Sequence, residues 1–250
     1  MKTIKNVILF FIVTLTMYSC SSPKLGKNQL DLEKFDLNFD VAAFYADEIE
    51  KVRKNEEELD RDKRKRKIEE LLALRLIDTD TVFKGEFMEE KTPVANQYNM
   101  RSYNRNDSLA YFQKMHFYKI NMATSLKGDF MALVAKSESK GTDDFEALRH
   151  YLEQKHGKPT LKDDKMYRGL ITYHWELDDR LLAISFIHDN EENVLKLGIE
   201  ITEDGVKADT TKQPTHVTHL LILKNQYKQD NIIGDFIRGD WSDFNRILEK

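Results

Sequence analysis

The seven histidines are the first side chains to test for chemistry, because imidazole is a common acid–base group and metal ligand near neutral pH. They are His116, His150, His156, His174, His188, His216 and His219. None belongs to an HExxH motif or to another His–carboxylate pair at metal-ligand spacing. His216 and His219 are three residues apart, so a strand would place them on opposite faces, where they could not share a metal. We expect no bound metal and no essential histidine.

One loose group of polar residues remains as an alternative catalytic centre. His174, Asp178, His188 and Glu191 could gather at one end of a predicted strand meander, although surface histidines and turn carboxylates explain the same pattern. The sequence contains neither a Gly-x-Ser-x-Gly motif nor a Gly-rich phosphate loop, and its ten glycines stand singly. The sequence therefore predicts no catalytic residue and no cofactor.

The N-terminal residues have the pattern of an export signal. Lys2 and Lys5 precede an apolar run, residues 7–15, that is too short to cross a hydrocarbon core about 30 Å thick. Cys20 follows this run and is the only cysteine in the chain, so it cannot form a disulfide within one molecule. We interpret Cys20 as an attachment point. A plain secretory signal with an incidental cysteine, or an interfacial apolar N-terminus, would fit the same residues.

Ser19 and Cys20 resemble the lipobox of a bacterial lipoprotein signal, whereas Met17 and Tyr18 depart from its usual leucine and small residue. The resemblance covers residues 1–20 only. It implies that the leader is removed and that Cys20 becomes an N-terminus carrying diacylglycerol and a further acyl chain such as palmitate. A lipid anchor of several chains is stable because each buried CH₂ contributes about 0.8 kcal/mol. The resemblance implies a protein tethered to a membrane of the bacterial cell envelope, periplasmic or surface-facing.

Four residues could contact a ligand. Residues 89–108 are polar and lack an apolar period, so they are interpreted as a long connection. Within them, Tyr98, Arg101, Tyr103 and Arg105 interleave aromatic rings with guanidinium groups. Such side chains could bind a protein or glycan partner, although tyrosines on an ordinary surface loop would give the same pattern.

The charge balance argues against a nucleic-acid partner. The chain has 39 Lys and Arg residues against 43 Asp and Glu residues, a net charge of −4, and a nucleic-acid footprint needs a basic excess. Residues 63–67 form a basic run, but pairs such as Glu57 and Arg61 place opposite charges four residues apart. This pattern favours a solvated helix over a surface for nucleic acid or anionic lipid.

The N-terminal part of the mature chain is predicted to be a tether followed by a helical region. Ser21 to Gln29 has no apolar period and predicts the tether. Val41 to Leu76 has apolar residues at three- and four-residue spacing without Gly or Pro, and Asp40 could cap its start. The pattern fits one helix or two antiparallel helices.

The rest of the chain predicts an antiparallel sheet with a helix packed on it. The helix begins at Asp143, where Glu146 completes a capping box, and ends at Gly157. Alternating apolar residues predict strands near 118–122, 130–135, 171–177, 182–186, 195–201 and 217–223, of which 171–201 form a three-stranded meander, and a short closing helix follows Asp240. We expect Trp175 on a face buried by the helix and His174 on a face that is at least partly wet.

These elements predict an α+β fold, with helices on one face of an antiparallel sheet and a charged helical segment before it. The predicted organisation is a signal peptide at 1–19, a tether at 20–30, a helical extension at 31–78 and the α+β domain at 79–250.

The function expected from the sequence is that of a non-catalytic, lipid-anchored envelope lipoprotein that acts as a binding or adaptor module. One alternative is an anchored hydrolase of envelope or extracellular polymers, with its site near His174. Another is an immunity-type inhibitor that presents an acidic face to a toxic enzyme. The fold class does not separate these alternatives.

Overall fold

Strands dominate the structure. The computed structural model describes residues 23–62, 75–84, 91–101, 105–164, 170–187, 198–202, 205–209, 216–228, 232–236, 240–245 and 247. Two helices lie within these residues, α1 Val41–Asp62 and α2 Asp143–His156. The strands are β1 Leu30–Asp31, β2 Leu76–Lys84, β3 Thr92–Arg101, β4 Ala110–Phe112, β5 Met115–Phe117, β6 Lys119–Ser125, β7 Phe130–Ser139, β8 Thr160–Asp164, β9 Leu170–Glu176, β10 Arg180–Ile187, β11 Gly198–Thr202, β12 Gly205–Asp209 and β13 His216–Lys224.

One eight-stranded antiparallel sheet organises the fold. Its strand order is β2-β3-β6-β7-β13-β10-β9-β8, while β1, β4 and β5 form a small second sheet and β11 pairs only with β12. The predicted antiparallel sheet and its packed helix are therefore confirmed. The fold is richer in sheet than the α+β prediction implied.

Residues 23–29, predicted to be part of a tether, instead pack on α1. The Leu25 side chain is 2% exposed, and its backbone N–H donates to the Phe44 carbonyl at 3.0 Å. Lys24 donates to Asp47 at 2.8 Å, and Lys27 donates to the same carboxylate. The sequence did not predict this packing because a single apolar residue, Leu25, gives no period. The tether prediction is wrong for these residues.

The helical region is confirmed only in its first part. The Asp40 carboxylate accepts a hydrogen bond from the Ala43 backbone N–H at 2.9 Å, so it caps α1 as predicted. Residues 63–74 lie outside the described residues. The prediction is wrong at Leu76, which begins β2 rather than ending a helix.

The prediction of a long polar connection at 89–108 is also wrong. Strand β3 occupies much of this range and pairs with β2 along its length. The sequence pattern did not predict this strand because two of the buried residues on one of its faces have amide side chains. Gln97 and Asn99 are buried, so their side chains break the apolar alternation that would have predicted a strand.

Helix α2 is the most accurately predicted element. It buries Phe145, Leu148 and Leu152 as expected, and Gly157 ends it with a φ of 83°, a conformation that glycine adopts at little cost. The capping box is wrong, because the N-cap is Thr142 and no side-chain hydrogen bond caps the helix.

The C-terminal elements differ from the predicted meander. The strand predicted at 195–201 appears as β11 in a separate hairpin, and the neighbour of β10 is β13. The closing helix after Asp240 is a single 3-10 turn, Ser242–Phe244. Residues 188–197 lie outside the described residues.

Both faces of the main sheet are covered. The first face carries Trp175 and packs against α1 and α2. The second face packs against the C-terminal segment, residues 232–247, whose buried apolar side chains are Ile232, Ile233, Phe236, Trp241, Phe244 and Ile247. The prediction of a partly wet face is wrong for Thr172 and His174, which are buried there.

Candidate functional site

The four predicted ligand-contact residues do not form one site. Tyr98 faces α1 from β3, whereas Arg101 is an odd number of residues away and therefore belongs to the opposite face of that strand, where it pairs with Asp78 at 2.7 Å. Arg105 lies in a different cleft, 2.9 Å from Glu138. Tyr103 lies outside the described residues.

Tyr98 lines a cleft between α1 and the β2–β3 hairpin, which we call the helix–hairpin cleft. Its volume is about 490 Å³. The lining residues are Ala42, Ala46, Ile49 and Glu50 from α1, Thr79, Asp80 and Thr81 from β2, and Asn96 and Tyr98 from β3. The two alanines leave space between helix and hairpin because their side chains are short. The cleft therefore combines an aromatic ring with hydroxyl, amide and carboxylate groups.

The aromatic wall of this cleft is held in place by a second ring. Tyr98 stacks on Tyr45, with ring centroids 5.5 Å apart and planes 7° apart. The Tyr45 hydroxyl donates to the Ile120 carbonyl at 2.9 Å, which fixes this ring under Tyr98. Burial and the nearby Asp40 carboxylate raise the pKa of Tyr98, so its hydroxyl stays protonated and can both donate and accept hydrogen bonds.

The α1 carboxylate in this cleft is ionised. Glu50 accepts hydrogen bonds from Arg53, at 2.9 and 3.1 Å, and lies 3.4 Å from the Lys54 ammonium. These contacts lower the pKa of Glu50. An ionised carboxylate can accept hydrogen bonds from a ligand but cannot act as a general acid near neutral pH.

Arg105 lines a second opening of about 380 Å³, which we call the polar cleft. Its lining includes Ser108, two residues before β4, and His116 on β5. The Ser108 Oγ lies 2.7 Å from His116 Nδ1, and Gln29 donates to Ser108 Oγ at 2.8 Å. Ser108 and His116 are eight residues apart and match no motif. Only a prediction of the β4–β5 hairpin could have brought them together.

A third cluster of polar side chains is mostly buried and joins the C-terminal segment to the sheet. Asp243 accepts a hydrogen bond from the Ser185 hydroxyl at 2.6 Å and lies 2.6 Å from His219 Nδ1. Asp240 lies 2.8 Å from the Lys119 ammonium and 3.7 Å from His219 Nε2. His219 and Ser185 are buried. Because Ser185 and His219 both bind the carboxylate rather than each other, the group lacks a catalytic-triad arrangement.

The histidine predictions have separate outcomes. His219 belongs to the second face, and His216 stacks on Phe186 of the first face at 5.3 Å, so the prediction of opposite faces is confirmed. His174 is 6% exposed, and burial lowers its pKa. His188 and Glu191 lie outside the described residues. In the part of the chain that the structure describes, no three His, Cys, Asp or Glu residues are arranged to hold a metal.

Cys20 also lies outside the described residues. Of the helices that are described, none is long and apolar enough to span a membrane. No protein-family model, no curated protein and no solved structure matched the chain.

Proposed function

We propose that this chain is a lipid-anchored protein of the bacterial cell envelope, periplasmic or surface-facing, and that it acts as a binding module, holding a glycan partner in the helix–hairpin cleft without cleaving it. The observation that carries the proposal is the composition of that cleft. The cleft is a concave space of about 490 Å³. It is lined by a fixed tyrosine ring, hydroxyls, an amide and an ionised carboxylate. Binding sites are typically concave, with a few placed polar groups that fix the orientation of the ligand.

A neutral sugar ring suits these side chains better than a charged or apolar ligand. Sugar hydroxyls both donate and accept hydrogen bonds, and so do the Thr79 and Thr81 hydroxyls and the Asn96 amide. The apolar C–H face of a sugar can pack on Tyr98, whose ring is amphipathic. The carboxylates of Glu50 and Asp80 disfavour an anionic ligand.

The same cleft is poorly suited to cleaving a glycan. Glycoside hydrolysis usually needs one carboxylic acid that is protonated near neutral pH and a second carboxylate across the scissile bond. Arg53 and Lys54 keep Glu50 ionised, so it does not supply that acid. This favours binding over hydrolysis at this site.

The packing of residues 23–29 on α1 supports a short distance between the domain and the proposed anchor at Cys20. Only Ser21 and Ser22 separate Cys20 from Pro23, and three Cα–Cα steps span at most about 11 Å. From Lys24 onward the segment is bonded to α1. A lipid on Cys20 would therefore hold α1 and its cleft near the membrane surface.

The anchor is tested with a Cys20→Ala variant expressed in its bacterial host. We expect the variant to leave the membrane fraction, because the acceptor of the lipid is gone. A Ser22→Ala variant serves as the matched control and should stay in the membrane fraction. Unchanged membrane association of Cys20→Ala, with the leader uncut, would contradict the lipid anchor.

The glycan site is tested by calorimetric titration of the purified protein with neutral oligosaccharides and fragments of envelope polysaccharide. Tyr98→Ala removes the ring, and loss of a central aromatic contact typically costs about 2 kcal/mol or more. Because Tyr98 also supports Tyr45, a second variant, Ala46→Trp, fills the cleft from the exposed surface of α1. Lys127→Trp places the same side chain on a distant turn and should bind normally. Saccharide binding that survives both cleft variants, or no binding at all, would overturn the proposed ligand.

A further inference from the structure

We propose that Ser108 is the nucleophile of a second site, in the polar cleft, and that it reacts with short-chain esters of polar alcohols. This activity goes beyond the proposed glycan binding and uses different residues. It depends on one geometric arrangement, in which a serine hydroxyl is hydrogen-bonded to an exposed imidazole in the lining of an open cleft.

The hydrogen bonds around Ser108 determine where its proton lies. The Gln29 side-chain amide donates to Ser108 Oγ at 2.8 Å and to the Ser108 carbonyl at 3.1 Å. Since Oγ accepts from Gln29, its own hydrogen is available to His116 Nδ1, 2.7 Å away. His116 is then the acceptor at Nδ1 and carries its own proton on Nε2. A serine and a base within hydrogen-bond distance form the pair that activates a hydroxyl nucleophile.

The backbone that carries the pair is held on both sides. The Leu30 N–H donates to the Leu109 carbonyl, and the Leu109 N–H donates to the Phe117 carbonyl, both at 2.9 Å. Leu109 and Phe117 are buried neighbours of the two reacting residues. His116 therefore belongs to β5, and Ser108 precedes Leu109, whose backbone is bonded to both β1 and β5. A fixed framework is what a reactive pair needs.

The turn between β4 and β5 adds a cation to the cleft. Gln113 has a φ of 54°, an uncommon conformation for a residue with a side chain, and Lys114 follows it at the cleft wall. Backbone strain of this kind persists where the surroundings enforce it, often at functional sites. Lys114 can attract the oxyanion that forms when a serine attacks an ester, although the cleft is also lined by the carboxylates of Asp107, Glu138 and Asp144, and Arg105 is paired with Glu138.

The proposed reaction has two halves and needs only water as co-reactant. Ser108 Oγ attacks the ester carbonyl carbon while its proton passes to His116 Nδ1, and the C–O bond to the alcohol breaks as His116 returns that proton to the departing oxygen. Water then attacks the acyl-serine with proton transfer through His116. The products are the alcohol and the carboxylic acid, with Ser108 regenerated. The volume of about 380 Å³ and the polar lining suit a short acyl group on a polar alcohol.

The experiment uses the full mature chain with p-nitrophenyl acetate and a fluorophosphonate, followed by intact-mass and peptide analysis. We expect one adduct per chain, on Ser108. Ser108→Ala should abolish the adduct, and His116→Gln should slow both labelling and ester hydrolysis by about 100-fold, the scale of a lost general base. Gln29→Ala should slow them less. Ser139→Ala, which removes another hydroxyl of the same cleft, should react like the parent chain.

Two outcomes would overturn the proposal. One is the absence of a Ser108 adduct under conditions that label a known serine esterase. The other is labelling that His116→Gln leaves unchanged, because the serine would then react without the imidazole. Circular dichroism of each variant separates misfolding from loss of reactivity. Saccharide titration of Ser108→Ala distinguishes this site from the helix–hairpin cleft, since that variant should bind glycan normally.

Discussion

The two faces of the main sheet are buried by different means. On the first face, apolar side chains from α1 and α2 meet apolar strand residues, so burial follows from the hydrophobic effect. On the second face, part of the contact with the C-terminal segment is also apolar, but Asp240 and Asp243 join it to Lys119, Ser185 and His219. The comparison shows that one sheet can be closed on one side by packing and on the other partly by paired charges. Three predictions test this difference.

The largest effect is expected on the first face. Trp175→Ala should destabilise the fold by about 3–5 kcal/mol, as large aromatic truncations do in cores. Trp175 packs in the main core and its indole N–H donates to the Gly157 carbonyl at 2.9 Å, which ties β9 to the end of α2. The measurement is the midpoint of urea unfolding. Leu126→Ala, at an exposed turn, is the control and should change stability by less than about 0.5 kcal/mol. Equal midpoints for both variants would contradict the packing of this face.

A smaller loss is expected when the second face loses a carboxylate. Asp243→Ala leaves the Ser185 hydroxyl and His219 Nδ1 without their acceptor, and an unsatisfied buried polar group costs about 1–3 kcal/mol. Limited proteolysis followed by mass spectrometry should show faster cleavage within residues 232–247 in this variant. Asp235→Ala alters a carboxylate of the same segment for which burial raises the pKa, so its removal should not open the segment. Equal cleavage of the two variants would show that the ion pairs do not hold the segment.

The smallest effect is expected for the pH dependence of folding stability that Asp240 of the second face contributes. Burial alone would raise the pKa of Asp240, but attraction to His219, Lys119 and Lys136 outweighs it and lowers the pKa below the ordinary value. A carboxylate with a lowered folded-state pKa stabilises the fold above its unfolded pKa, and that contribution is lost as the pH falls through the folded pKa. Urea midpoints of the parent chain should therefore fall more steeply below about pH 4 than those of Asp240→Asn. Parallel curves would contradict the prediction.

The two faces also differ in how well their buried residues could be predicted from the sequence. Phe145, Leu148 and Leu152 of α2 could be assigned to the core because apolar residues repeat with the helical period. On the other face, His174 and Thr172 were expected to be partly wet, since polar side chains usually are. They are buried on the face that the C-terminal segment covers, and the part of that segment in contact with β9, Ser242–Phe244, follows about 70 residues later in the chain. Nothing in the sequence of β9 itself predicts that cover.

The clefts were less predictable than the strands. Tyr98 and Arg105 were identified as ligand contacts from their types, and the structure places each in a cleft but not in the same one. The amides of Gln97 and Asn99 concealed β3, so the strand faces that separate Tyr98 from Arg101 could not be assigned. The Ser108–His116 pair depends on the pairing of β4 with β5, which brings residues from the two ends of a hairpin together.

The sequence by itself determined the features that depend on local order along the chain. These are the start of α1 at Asp40, the buried stripe and the end of α2, and the strands with an apolar period of two. Tertiary structure alone decided which surface residues became clefts, that residues 23–29 pack on α1, and that apolar side chains and paired charges of the C-terminal segment together cover the second face. The physical reason is that apolar periodicity is a property of residues close together in the sequence. The burial of a polar group depends instead on a partner that the fold brings from elsewhere in the chain.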